Sequence, residues 1–445
     1  MIIYVKNISH YFVIEVGTNP MNQIISTHKH QQKPVEDILD FCTTMGSRLI
    51  ESGANLERVQ LAVERISRAY GLTDVSLILL STNISLSARD QTGYYAIRQK
   101  SIPPLKIQVN RLQSLNSLCY EVARQTPSPK DLKRLLDNAS RVKEYSDLQI
   151  LLGRLCAMSC LCLMFGGQIR EVFCALIVIT VMHFTLHLLE FLGIDKILSN
   201  TLVMWIATTV ICLLTGLGIA SNKPALIITA TMLVIPGVPL VNAMRNILCG
   251  NEMNGILQTA RATVETFALA MGIYLSILMF AKGTGIDGPV VSTLTNPFIL
   301  ITLSFIASCG FGVIFGLKTR DLWMAGLGGM LTRITMLLMA PVSSRLFIVT
   351  VSAFVASVYA EVLATIHKKP STYYIYPTII PLIPGDLFFY ALMGVYNHDP
   401  MMVRMNGLNC ALTLASMSIG FVLSFVAAHY IRMMNYKPVN SHHRE

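Results

Sequence analysis

Three charged residues, Glu265, Arg333 and Asp386, stand inside long apolar stretches of the sequence. A charge near the centre of a bilayer costs at least about 2.5 kcal/mol, so each such residue needs a partner, water or a function. The Asp386 carboxylate directly follows Pro384 and Gly385, and it is our first candidate for binding a substrate ammonium group or a coupling proton. Capping of a helix that starts at this position is the alternative role.

The other two charges have competing structural roles. Glu265 follows Arg261 by one helical turn, so an intrahelical ion pair competes with a role in substrate or proton binding. Arg333 could neutralise Asp386 or Glu265, or contact a substrate carboxylate. We favour the ion pair for Arg333.

A histidine pair lies on one face of the second apolar stretch. His183, His187 and Glu190 have the spacing i, i+4 and i+7, which suits a proton relay or, less favourably, a metal ligand set. Hydrogen-bonded packing is the favoured interpretation of these side chains. Arg245 and Glu361 are expected near helix ends, where long side chains reach the interface. We predict no metal, no cofactor and no catalytic residue.

The composition explains why these charges matter. The chain has 445 residues, of which 53% are hydrophobic and 13% charged, whereas a soluble domain carries about 25% charged residues. This excludes an ordinary soluble globule and indicates a polytopic membrane protein. The net charge of +10 is spread along the chain, which argues against a nucleic-acid partner. The ten cysteines have neither disulfide nor zinc spacing, and we interpret them as small apolar residues.

The chain divides near residue 150. Residues 1–33 are expected to be a poorly ordered leader, and residues 34–150 a small cytoplasmic α+β domain. Two amphipathic helices are predicted to end at Gly53 and Gly71. A β-rich stretch follows over residues 73–88, and residues 92–98 are predicted to pair with it. Thr82 and its neighbours could bind a ligand, but a structural or regulatory domain is favoured.

Ten apolar segments of about 20 residues follow, the length that spans a bilayer. They are predicted at residues 151–167, 172–193, 201–220, 225–248, 256–281, 297–317, 321–340, 344–366, 373–396 and 406–432. They form two five-helix halves, residues 151–282 and 296–433, with a tail at 434–445. More Lys and Arg residues fall in the loops on the side of the N-terminal domain, so both termini are predicted to be cytoplasmic, in an inner or plasma membrane.

An internal repeat relates the two halves. Pro236 and Gly237 in the fourth span recur as Pro384 and Gly385 in the ninth span, 148 residues later. The same offset relates Ile235 to Ile383, Ala243 to Ala391, Met253 to Met401, Gly272 to Gly420, Leu275 to Leu423 and Ser276 to Ser424. Because five is odd, the halves should have opposite orientations.

Inverted repeats with broken helices are a plan of secondary transporters. Pro removes a backbone donor and Gly lets the chain bend, so unwound backbone is expected at mid-membrane depth, where protein or water must surround it. Asn242, one turn after Gly237, could contact a substrate there. Two ordinary proline kinks are the alternative.

Several motifs resemble the threonine/serine exporter family. They are PGVPLVNAMRNILCGNEMNG from Pro236, FGVIFGLKTRDLWMAGLGGMLTRITMLL from Phe311, IPLIPGDLFFYALMGVYNHDP from Ile380 and MGSRLIESGANLERVQLAVERISRAYG from Met45. The order matches members in which both membrane halves are fused. The chain departs from the family pattern at Asn246, where Asp is common, and at Asp386-Leu387, where more Gly is common.

The resemblance implies export of amino acids, or of dicarboxylates as in two-component members. Combined with the buried charges, it predicts a proton-coupled exporter of threonine or serine that works by alternating access. A dicarboxylate exporter with Arg333 and Arg245 as substrate contacts is the alternative within transport, and a membrane-anchored sensor or regulatory protein is the alternative outside it. Expected partners are membrane lipid, the amino acid and protons, with a homo-oligomer as a further expectation.

Overall fold

The computed structural model describes residues 34–280, 294–341 and 344–434, with side chains up to residue 427. The predicted leader and the tail after residue 434 lie outside the described residues. In chain order the elements are α1 (Pro34–Glu51), α2 (Leu56–Ala69), β1 (Thr73–Leu79), β2 (Asn83–Arg89), β3 (Tyr95–Ser101), α3 (Val109–Gln125), α4 (Pro129–Ser140), α5 (Asp147–Met164), α6 (Ile169–Phe191), α7 (Lys196–Gly216), α8 (Lys223–Val234), α9 (Gly237–Leu248), α10 (Glu252–Met279), α11 (Pro297–Ile314), α12 (Leu322–Met339), α13 (Arg345–His367), α14 (Thr372–Thr378), α15 (Gly385–Tyr396) and α16 (Pro400–Met434).

The N-terminal domain has an antiparallel sheet of order β1-β2-β3, on which α1 and α2 pack, and α3 and α4 pack against these helices. Both predicted helices are present, and β2 pairs with β3 as predicted, with Leu86 opposite Arg98. The predicted single β-rich stretch is two strands, because the chain turns between Leu80 and Asn83. Apolar residues of α1 at helical spacing, such as Leu39 and Leu49, are buried against the sheet and the other helices.

Two thiols belong to the core of this domain. Cys42 and Cys119 are both buried, and the Cys119 Sγ atom lies 3.0 Å from the Met45 Sδ atom. Burial raises the pKa of the Cys119 thiol to about 12, and it also raises the pKa of Cys42 far above the usual range. The two side chains therefore stay protonated and act as small apolar residues.

The remaining helices are long and apolar. Eight of the described helices have the length and composition to cross a membrane, and two bent pairs raise the number to ten if each pair is one span. The pairs are α8 with α9, bent by 59°, and α14 with the segment Ile380–Tyr396 that contains α15, bent by 45°. The first bend contains Pro236, where the sequence predicts a broken helix. The second bend falls at Ile379, and Pro384 interrupts the chain again directly before α15.

The two halves repeat one order of elements: three helices, a broken helix and a long helix. The long helices α10 and α16 pack against α7 and α13, respectively. A Cβ atom added at Gly272 would overlap the Thr201 carbonyl, and one added at Gly420 would overlap the Thr350 carbonyl. These two glycines are a pair in the predicted repeat, so equivalent positions bring two helix backbones into contact in each half. The opposite orientation of the halves remains a prediction.

This contact leads to a prediction about stability. Replacing Gly272 by Val should prevent α10 from approaching α7, because the new side chain would have to displace backbone atoms. We expect a lower thermal unfolding midpoint in detergent and less monodisperse protein. Gly407→Ala in α16 is the matched control, since a Cβ atom there meets nothing within 4 Å. Equal stability of the Gly272→Val variant and the wild type would contradict the close packing.

Candidate functional site

The two breaks have the same local backbone structure. Pro236 has φ −76° and ψ 50°, and Pro384 has φ −81° and ψ 58°. In each break the glycine N–H donates to the isoleucine carbonyl two residues earlier, at 2.8 Å for Gly237 and 2.9 Å for Gly385. These are inverse γ-turns with proline at the centre. The turn therefore provides a hydrogen-bond partner for the isoleucine carbonyl, which the interruption of the helix would otherwise leave free.

The breaks also contact each other. A Cβ atom added at Gly237 would lie 3.0 Å from the Ile383 side chain, and one added at Gly385 would overlap the sulfur atom of Met232. Each glycine therefore lets the other half of the membrane region approach its turn. The predicted pairing of Pro236 and Gly237 with Pro384 and Gly385 thus brings both breaks to one place between the halves.

A tyrosine connects this region to the N-terminal domain. The Asn242 amide Nδ2 donates to the Tyr376 hydroxyl at 3.3 Å, and that hydroxyl donates to the Gly53 carbonyl at 2.7 Å. Gly53 has φ +101°, so this turn favours glycine. Tyr376 is buried in α14, and sequence reasoning missed it because its partners are far away in the chain. Asn242 and Tyr376 join the two membrane halves.

A cavity of about 140 Å³ lies beside Asn242, between the membrane helices and the N-terminal domain. Loops of the N-terminal domain and three membrane helices line it with hydroxyl, amide and charged groups, including Ser81, Thr82, Lys196, Asn242, Gln258, Arg261 and Glu265. Thr82 was the ligand-binding candidate of the N-terminal domain. One carboxylate and two cations facing a small cavity match the two charges of a zwitterion, and the neutral groups can bind a hydroxyl.

Glu265 is the central charge of this cavity, and its side chain is only 4% exposed. Its carboxylate lies 3.2 Å from the Arg261 Nε atom and 3.1 Å from the Lys196 Nζ atom. The predicted intrahelical pair is confirmed, and Lys196 at the start of α7 adds a second cation. Removing one member of such a buried group leaves an uncompensated charge, which is strongly unfavourable.

Asp386 lies in the first turn of α15, in the other half. Its carboxylate is 3.2 Å from the Arg345 Nη2 atom, and its side chain is about a third exposed. Pro384 is the capping residue of α15, and it makes no side-chain capping bond. The predicted capping role of Asp386 is therefore replaced by an ion pair.

The prediction for Arg333 is wrong. Its Nε atom donates to the Ser304 hydroxyl at 3.0 Å, which joins α12 to α11. Asp386 and Glu265 have cations of their own, so neither carboxylate pairs with Arg333. Spacing along a helix does not reveal how that helix is rotated about its axis, and the error follows from this.

The histidine face has three separate partners. The His183 Nδ1 atom is hydrogen-bonded to the Arg154 Nη1 atom at 2.9 Å. The His187 Nε2 atom lies 3.1 Å from a carboxylate oxygen of Asp147. At the end of the helix Glu190 pairs with Lys106 at 2.8 Å. This agrees with the favoured interpretation of hydrogen-bonded packing. Among the described residues, no group of three His, Cys, Asp or Glu side chains could hold a metal ion.

Two secondary candidates lie outside the cavity. The Arg245 guanidinium lies 5.6 Å from the centre of the Phe425 ring, so it contacts α16 of the other half. Glu361 lines a groove between the N-terminal domain and α13. The structure therefore does not bring these residues together with Glu265 or Asp386.

Comparison with known proteins places the chain in a family. A family described as "Putative threonine/serine exporter" matches residues 40–280, more than half of the chain. The chain belongs to the threonine/serine exporter family. A second description, "Threonine/Serine exporter, ThrE", matches residues 300–427. The order of the two matches is that of a fused exporter, and the chain is a multi-pass membrane protein of an exporter family.

Two relatives carry names that point to another substrate. "Probable succinate transporter subunit YjjP" of Klebsiella aerogenes is 22% identical over 255 residues, which are 57% of this chain and 96% of that protein. The protein of the same name from Escherichia coli is 23% identical over 252 residues, 54% of this chain and 93% of that protein. No solved structure matches this exporter-family chain.

The tyrosine contact can be tested with neighbouring residues. Tyr376→Phe should lower the unfolding midpoint and speed proteolysis of the linker at residues 141–146, because it leaves the buried Gly53 carbonyl without its donor at a cost of about 1–3 kcal/mol. Tyr374→Phe is the control, since the Tyr374 hydroxyl is buried and has no hydrogen-bond partner among the described residues. Indistinguishable behaviour of the two variants would exclude a special role for the Tyr376 hydroxyl.

Proposed function

We propose that this chain exports a small hydroxylated amino acid, of the threonine or serine type, by proton-coupled alternating access. The cavity that combines Glu265 with Lys196 and Arg261 is the observation that carries this proposal. It offers an anion and two cations within one small space, as a zwitterionic substrate requires. Membership in an exporter family supports the transport class.

In this proposal the cavity is the entrance site. The substrate ammonium contacts the Glu265 carboxylate, and the substrate carboxylate contacts Lys196 and Arg261. Thr82 and Asn242 are then within the same cavity to bind the substrate hydroxyl. The substrate thereby exchanges partners with an existing ion pair, which avoids leaving any of the charges bare.

Passage requires the two halves to separate. The Asn242 amide lines both the cavity and a narrow crevice between the halves, which Arg245 and Tyr376 also line. Opening the contact between Asn242 and Tyr376 would connect the cavity to that crevice and to the meeting point of the breaks. The halves, if inverted, could then open alternately to the two sides of the membrane.

The proton role belongs to the two carboxylates. Glu265 faces the entrance cavity, and Asp386 lies next to the second break, so each half supplies one. A carboxylate that binds either the substrate ammonium or a proton links inward proton flow to outward substrate flow. Asp386 remains our candidate for the coupling site on the exit path.

Dicarboxylate export is the second candidate, because the two relatives are named as succinate transporter subunits. In that case the cations would be the substrate contacts. Lys196 and Arg261 face the cavity, and Arg245 lines the crevice. Arg333, which the sequence suggests as a dicarboxylate contact, instead donates a hydrogen bond to Ser304. Glu265 would then repel the substrate unless protonated.

Counterflow in proteoliposomes distinguishes the two substrates. We expect liposomes loaded with unlabelled threonine to accumulate labelled threonine, because a carrier exchanges like for like even without a gradient of protons. Labelled succinate in succinate-loaded liposomes should not accumulate above the protein-free background. The opposite pattern would reject the amino acid and support the dicarboxylate.

The coupling role of Asp386 predicts a separable defect. Asp386→Asn should abolish export driven by a proton gradient while the protein remains in the membrane, because the amide cannot exchange a proton. Glu252→Gln is the control, as Glu252 is also in the first turn of a helix but is exposed. Gradient-driven export measured in vesicles gives the comparison. Normal export by the Asp386→Asn variant would remove Asp386 from the mechanism.

A further inference from the structure

A second repeat signature lies outside the broken helices. Residues 165–173 read FGGQIREVF and residues 315–323 read FGLKTRDLW, an offset of 150. Each segment joins the first two helices of a half, and Gly166 and Gly316 have φ of +80° and +76°. Both segments place an acidic residue, Glu171 or Asp321, directly after an arginine. These carboxylates are almost fully buried, at 1% and 3% exposure, respectively.

Glu171 holds the start of the first broken helix. Its Oε1 atom accepts the backbone N–H groups of Ser221 at 2.9 Å and Asn222 at 3.2 Å. These residues directly precede α8, whose first residues are Lys223 and Pro224. The adjacent guanidinium of Arg170 also donates to the Ser221 hydroxyl, at 3.3 Å.

Asp321 binds the start of the second broken helix through side chains rather than backbone groups. Its Oδ2 atom accepts from the Lys369 Nζ atom at 2.5 Å and from the Tyr373 hydroxyl at 2.7 Å. Lys369 and Pro370 precede α14. Lys-Pro therefore stands at the start of both broken helices, and a buried carboxylate binds each start.

The two contacts lie at opposite ends of the helical bundle. Asp321 is two residues after Thr319, whose hydroxyl is 3.3 Å from that of Tyr145 in the linker from the N-terminal domain. Glu171 begins α6, and Glu190 near the other end of α6 pairs with Lys106 of the N-terminal domain. At 1.5 Å per residue, Glu171 is about 29 Å from that end.

We propose that Glu171 and Asp321 are positioning residues for transport. Each fixes the start of one broken helix and thereby keeps one end of the bundle closed. Release of one carboxylate opens that end and leaves the other closed. This inference rests on the proposed alternating-access function, and it deepens it by naming the contacts that exchange. Buried hydrogen bonds to a charged group are either made or lost, so they favour two discrete states over a gradual deformation.

A pair of cysteine reporters at repeat-related positions tests the proposal. Cys174 is a native buried residue one turn after Glu171, and Met324, also buried, is its counterpart 150 residues later. We use the full-length chain in liposomes, with a single reporter cysteine in each variant: either Cys174 with the other nine cysteines replaced by Ser or Ala, or Met324→Cys with all ten native cysteines replaced. A membrane-impermeant maleimide, added to each side in turn, measures exposure without any substrate.

We expect Glu171→Gln to raise the labelling rate of Cys174 about tenfold, without changing the reporter at position 324. Asp321→Asn should have the converse effect. A tenfold change corresponds to about 1.4 kcal/mol, close to what one hydrogen bond to a charged group contributes. Glu171→Asp and Asp321→Glu keep the charge and should give smaller changes in the same direction, so they serve if a neutral variant does not insert.

The control is Asp195→Asn. Asp195 caps the unbroken helix α7 through the Ile197 N–H at 3.0 Å, so its loss should change neither reporter. Equal labelling increases at both reporters would show general loosening and overturn the proposal, as would no change at either. Because the assay contains no substrate, its failure is distinct from a failure of threonine counterflow.

Discussion

The mutual shielding of the two helix breaks is the constraint on which the membrane region depends. Hydrocarbon offers no hydrogen bonds, so an interrupted helix is stable only where protein or a water-filled cavity covers the freed backbone groups. Here each glycine satisfies one group in a γ-turn and admits a side chain of the opposite half. Neither broken helix could keep this structure alone. The arrangement of the other helices has to hold the two turns opposite each other.

The same requirement applies to charge. Glu265 receives its cations from its own helix and from α7, and Asp321 receives its nearer cation, Lys369, from the segment before α14. Each contact therefore fixes the relative position of two elements as well as compensating a charge. In the proposed mechanism a substrate in the cavity takes over the interactions of Glu265 one for one, because an unpaired buried charge is strongly unfavourable. This favours a site that exchanges ligands over one that is empty between cycles.

Local spacing predicted what depends on neighbours in the sequence. The proline breaks, the long apolar helices and the pair of Arg261 with Glu265 all follow from residue types and spacing over a few residues. The contact of Tyr376 with Gly53 joins residues 323 positions apart, and no local pattern signals it. Arg333 was assigned the wrong partner because hydropathy gives the depth of a residue but not the rotation of its helix. The second repeat at Glu171 and Asp321 was visible in the sequence, but its offset differs by two residues from that of the breaks.

The position of the N-terminal domain limits how the halves can move. The domain is bound to the first half where Asn254 pairs with the Leu79 carbonyl, at 2.9 Å, and with the Ser81 N–H, at 2.7 Å. It is bound to the second half through Gly53 and Tyr376. The Lys106–Glu190 pair adds to the first connection and the Tyr145–Thr319 contact to the second. If the domain moves as one body, separation of the halves at this end must break its contacts with one of them. Gly53 and Ser81 line the cavity, so in the proposed mechanism a ligand that binds there would act on both connections and the domain would move with the halves.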